Sequence, residues 1–269
     1  MPDGSAPSPS ILDALGRVDA GCFEPDPSWI NSFGVVFGGV TVAVLVDAWV
    51  AVLDDGESLG SAHLAFAKPL REGATTITVE RAAGGRTVGR LLGTLRRGDD
   101  LVVDGFAVTA RRAGATVGRV PTLDLPPPDE LDETVDPARA AAFVQHHFDI
   151  RVARRPSAED PVVHQWVRIR RCEPIDGRLP LAAAGLLADL VGTGVFRTAT
   201  RELEGLQAVK SLDLSLHLTG VAPTEWTLLS IATPPIHDGG AVAHATLRTR
   251  AGEPVATVAQ QVLVQPIER

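Results

Sequence analysis

Residues 38–53, "GGVTVAVLVDAWVAVL", carry one charged side chain, Asp47, and no polar stripe at helical spacing. A run this long and this apolar predicts a helix, and a helix that is apolar on most faces must be covered on most faces. The runs that follow can supply the cover. "SAHLAFAKPL", "TTITVERA", "TVGRLLGTLRR" and "LVVDGFAVTARR" alternate or are β-branched enough to predict strands. The same order then returns: "LPLAAAGLLADLVGTGVF" reads as a second helix, and "AVKSLDLSLHLTG", "EWTLLSIATPP", "AVAHATLRTRA" and "VATVAQQVLVQP" read as a second set of strands. Setting Gly98 against Gly252 places Val88 opposite Val242, Arg96 opposite Arg250 and Phe106 opposite Gln260. Pattern repeats more than identity does, so the two halves read as copies of one unit. The expected class is α+β: two central helices, each wrapped by a bent antiparallel sheet, with the sheets paired edge to edge so that two exposed edges vanish.

Between the halves, "RVPTLDLPPPDELDETVDPARAA" (119–141) replaces hydrophobic periodicity with prolines and acids, which is a linker composition. The expected division is an N-terminal unit at 10–118, a linker at 119–141 and a C-terminal unit at 142–269. "MPDGSAPSPS" has neither the basic start nor the apolar core of a signal peptide and reads as a disordered lead, so a cytoplasmic setting is expected. No run reaches the roughly 18 apolar residues of a membrane span. A net charge of −8 argues against nucleic acid or an anionic membrane as partner. Cys22 and Cys172 stand far apart without metal-type spacing, so neither a disulfide framework nor a metal site is expected.

Asp189 sits in "GLLADLVGTGVF" with no basic residue before Arg197. Burying a lone carboxylate costs several kcal/mol unless it is paired, or else its pKa rises. Asp189 therefore either draws partners from elsewhere in the chain or faces an opening. Asp47, the one acid of the first apolar run, is its rival as a functional acid. His63 and His217 read as packed histidines, and "QHHFD" (145–149) as surface rather than a metal pair. The "RR" doublets at 96–97, 111–112, 154–155 and 170–171 read as strand ends, of which one or two could meet phosphates.

"FGVVFGGVTVAVL", "SAHLAFAKPLREG", "LLADLVG", "SLDLSLHL" and "VATVAQQVLV" together resemble, in order and spacing, the type II (TesB-like) acyl-CoA thioesterases of the double-hotdog superfamily. The resemblance implies a thioester hydrolase acting on acyl-CoA, without metal or organic cofactor, assembled as a homodimer or higher homo-oligomer. It places the family's catalytic Asp on Asp189, its hydroxyl residue on Ser211 (where Thr is commoner) and its Gln on Gln260. Asp213 and Ser215 would share the Ser211 face by period 2. Two alternatives remain. A hotdog hydratase or dehydratase would need a His soon after the Asp, which "DLVGTGVF" lacks, and an inactive acyl-thioester binding protein is allowed by Ser211 and by "LHLTG".

Overall fold

A computed structural model describes residues 15–266 apart from 20, 32–33, 112–122, 134–143, 145, 158, 204–206 and 233. The expected lead, Arg112 and both ends of the 119–141 linker lie outside the described residues.

The first half supplies strands β1 (Gly16–Asp19) and β2 (Cys22–Pro25), helix α1 (Gly38–Val50), and strands β3 (Glu57–Phe66), β4 (Thr75–Gly84), β5 (Val88–Arg97) and β6 (Asp100–Arg111). The second half supplies β7 (Phe148–Arg154), β8 (Val162–Ile169), α2 (Ala182–Ala188), a 3₁₀ turn (Asp189–Val191) and α3 (Gly192–Glu202). Strands β9 (Gln207–Ser211), β10 (Asp213–Leu218), β11 (Thr227–Ala232), β12 (Gly240–Thr249) and β13 (Pro254–Pro266) follow. All described strands join one antiparallel sheet in the order β1-β2-β4-β5-β6-β3-β10-β13-β12-β11-β8-β7, with β9 also on β13. The seam between the halves is β3 against β10, with Ser215 opposite His63 and Leu216 opposite Ala62. Among the described residues no helix is long and apolar enough to cross a membrane.

The apolar run behaves as its composition requires. From Gly39 to Val46 every residue of α1 is buried, and burying each Val or Leu side chain contributes about 1.5–3 kcal/mol. α1 and α2 lie against each other almost backbone to backbone. A Cβ on Gly39 would stand 2.5 Å from the Leu186 carbonyl oxygen, and one on Gly185 would stand 3.2 Å from the Ala43 nitrogen. Glycine at these two positions sets the helix separation, because any side chain would force the backbones apart.

The register corrects two expectations. Leu95 pairs with Val103 and Leu247 with Ala256, each beside a bulge; four residues further along, Leu91 pairs with Ala107 and Ala243 with Gln260. The counterpart of Gln260 is therefore Ala107, which is buried, and not Phe106. Phe106 faces outward, stacked on His63 with the Arg90 guanidinium over its ring. The hairpin at Gly98 is tight (Arg97 opposite Asp100), while that at Gly252 is longer (Arg248 opposite Pro254), so aligning the two glycines slips β13 by one residue against β6 and inverts its face. The second correction concerns β9 and β10. Ser211 pairs with Val262 but Ser215 with Ala259, so the strand bulges at Leu212. Asp213 and Ser215 consequently lie on the outer face, where Ser215 meets His63 Nδ1 at 3.0 Å and Asp213 accepts from the Gln261 N–H.

The described part of the linker, 123–133, is a strap. Leu123, Leu125 and Leu131 pack on Trp166, Trp226 and Leu228. Trp166 donates to the Pro126 carbonyl (2.9 Å), and Arg151 donates to those of Pro128 and Leu131. Arg151 and Arg168 both pair with the buried Asp149 and flank the Trp226 ring. His147 is buried rather than on the surface: it stacks on Trp29 at 3.7 Å and its Nε2 donates to the Ser28 carbonyl.

Candidate active site

Asp189 is reached where α2 tightens into its 3₁₀ turn, which points the carboxylate away from the helix stripe and towards the start of α1. It is 8% exposed and Gln260 is fully buried. β13 delivers Gln260 on its inner face, and Ser211, the last residue of β9, faces the same side just before the bulge at Leu212. Gln260 Nε2 donates to Asp189 Oδ1 at 2.6 Å and to Ser211 Oγ at 2.9 Å, while Ser211 Oγ stands 3.5 Å from Asp189 Oδ1. The three expected residues therefore meet in one ring of contacts.

A fourth contact comes from the other half. α1 begins after Phe37 with no side-chain cap, so the N–H groups of its first turn need partners from outside the helix. The Gly39 N–H finds one in the Asp189 carboxylate. Gly38 makes room for it, because a Cβ there would stand 2.8 Å from Asp189 Oδ2. A carboxylate at a helix N-terminus is stabilised by the helix dipole. Burial nevertheless pushes the Asp189 carboxyl above the usual carboxylate range, against the opposing pull of Gln260, the Gly39 N–H and Ser211. Gln260 Oε1 is buried with no hydrogen-bond partner and faces Gly192, where a Cβ would stand 3.0 Å away. The roles of Gly38, Gly39 and Gly192 were not read from the sequence; the double glycine at 38–39 was the available signal.

Asp47 stands elsewhere. It lies nine residues along α1 from Gly38, a rise of roughly 14 Å. It is half-buried and its carboxyl is raised by burial. The strand positions of the first half that match Ser211 and Gln260 hold Leu59 and Ala107, so neither a hydroxyl nor an amide is offered there. The arginine doublets are largely engaged: Arg96, Arg97, Arg111 and Arg154 donate to backbone carbonyls, and Arg170 pairs with Glu133.

Two helices side by side under one continuous antiparallel sheet, built from a repeated helix-and-meander unit, define a double-hotdog protein. Residues 26–110 match the family model of the acyl-CoA thioesterase N-terminal domain, and residues 106–264 that of the acyl-CoA thioesterase C-terminal domain. The chain belongs to the acyl-CoA thioesterase family. A hot dog fold protein of unknown function from Alicyclobacillus acidocaldarius is 20% identical over 97% of this chain and 100% of its own, with a TM-score of 0.77. The acyl-CoA thioesterase II TesB2 of Mycobacterium marinum is 22% identical over 96% and 98%, with a TM-score of 0.74. A tesB protein of Mycobacterium avium subsp. paratuberculosis is 20% identical over 95% and 98%, with a TM-score of 0.73. No curated protein sequence matches the chain.

Proposed function

We propose that the protein hydrolyses acyl-CoA to a free acid and coenzyme A, using Asp189 as general base on a water that Ser211 and Gln260 help to orient. One observation carries the reading. A buried carboxylate, a hydroxyl and an amide converge within 3.5 Å at the N-terminus of α1. The water oxygen adds to the thioester carbonyl carbon while its proton passes to Asp189. The tetrahedral intermediate then collapses, the carbon–sulfur bond breaks, and the proton goes to the departing thiolate. The positive end of α1 sits beside the carbonyl as negative charge develops on its oxygen.

Water attack is favoured over hydratase chemistry because the turn from Asp189 into α3 offers no histidine as a second proton carrier. The reading keeps units at 10–118 and 142–269 with the segment 119–141 between them, a cytoplasmic setting, and a homo-oligomer built on faces or edges left open by the sheet. Thiol release from a panel of acyl-CoAs, compared between the natural protein and Asp189→Asn, tests the assignment. Equal rates for the two proteins would overturn it.

A further inference from the structure

We infer that the acyl chain of the substrate lies in the apolar groove between the C-terminal half of α3 and the loop joining β11 to β12; this rests on the hydrolase reading above. The groove has a volume of about 650 Å³, within the roughly 300–1,000 Å³ typical of small-molecule sites. Leu203, Pro234, Pro235 and Ile236 form its walls, and Thr198 lies on the helix side. Arg201, Glu202 and Asp238 also line the groove, and Arg201 is bonded to Glu202 at 2.7 Å. Leu203 is 40% exposed although it is a large apolar side chain. The apolar walls suit an aliphatic chain.

Two elements run from Asp189, Ser211 and Gln260 into the groove. α3 starts at Gly192 against Gln260 and reaches Thr198 six residues later, a rise of ~9 Å. β13 runs from Gln260 to Val264, about 13 Å of strand, and the Val264 N–H donates to the carbonyl of Gly239 on the groove at 2.6 Å. On the other side Val264 pairs with Val209, two residues from Ser211. The groove therefore lies within the span of a medium or long fatty chain from Asp189.

The test is a chain-length series, butyryl- to hexadecanoyl-CoA, on the natural protein and on Leu203→Glu, whose site is exposed enough to accept the charge without unfolding. We expect butyryl-CoA turnover to be unchanged and dodecanoyl-CoA turnover to fall about tenfold or more, the effect of losing two methylenes from apolar contact. Ile236→Trp should shorten the preferred chain in the same direction. An unchanged profile, or an equal loss at every length, would overturn the inference and leave the hydrolase reading standing. Should the natural protein release no thiol, the hydrolase reading fails by itself. Calorimetric binding of dodecyl-CoA thioether then decides the groove: weakened binding in Leu203→Glu supports it, and undiminished binding rejects it.

Discussion

Gln260 Nε2 lies 2.6 Å from Asp189 Oδ1, so the amide of the last strand is bonded directly to the acid of the second central region of helix. This bond and those from Ser211 and Gly39 favour the ionised carboxylate, while burial opposes it. A base must be ionised to act, so kcat/KM should rise with pH through a carboxyl pKa above the ordinary value of 3.8. Gln260→Leu removes one stabilising donor and should move that acid limb to higher pH as well as lower its plateau. A pH–rate profile checks both, and an unmoved limb would remove Asp189 from the role.

Asp189→Asn keeps size and shape while abolishing the base, and should cut thiol release by about 10²–10⁴-fold. Its effect on stability has the opposite sign. Because the folded pKa is raised, the folded state binds more protons than the unfolded state between the unfolded value and the folded one. Wild-type stability therefore falls as pH rises through that window, and no such loss occurs in the amide variant. The melting temperature of Asp189→Asn relative to wild type should climb from pH 4 to pH 7.

The two neighbouring glycines should fail differently. Gly38→Ala drives a methyl into Asp189 Oδ2, and a displacement of the base by about an ångström can cost about a hundredfold in rate. Gly39→Ala instead meets the Leu186 carbonyl at 2.5 Å, a helix-to-helix clash that should cost about 1–3 kcal/mol of stability. Thermal denaturation and turnover measured on both variants separate the two effects.

Glu57 sets an acid limit for the first half. Arg81, Thr109 and the Asp54 N–H hold its carboxyl down, at about 2 against an ordinary 4.5. The stabilisation is present above pH 4.5 and is lost as pH falls towards 2. Glu57→Gln should therefore lower the melting temperature at pH 7 by more than at pH 3.

Trp166→Phe should loosen the strap by removing the donor to Pro126 while keeping the ring in its apolar contact. Cleavage within 123–133 in limited proteolysis should accelerate, with turnover unchanged.

Much of this was legible in the sequence, for identifiable reasons. The length of the apolar runs at 38–53 and 179–196 favoured central helices, and the isolation of Asp189 among Leu and Val marked it as an acid with distant partners or facing an opening. The resemblance placed the amide on Gln260, and its strand neighbour Gln261, which points to the other face, is exposed. Period 2 failed where a bulge intervened: Asp213 and Ser215 left the Ser211 face at Leu212, and Phe106 stood in for Ala107 because two turns differed in length. Nothing local in 119–141 announced a strap, since its partners Trp166 and Trp226 lie far along the chain and its prolines read equally well as a spacer.

The meeting of Gly38 with Asp189 binds the fates of the two repeats. After a duplication each copy could in principle drift on its own, but a change at residue 38 is felt first by an acid 151 positions later. The first copy holds Ala107 and Leu59 where the second has Gln260 and Ser211, and its contribution is a bare helix end. The pair now descends as a single heritable device, in which the copy without the acid is the one that must stay smallest at the point of contact.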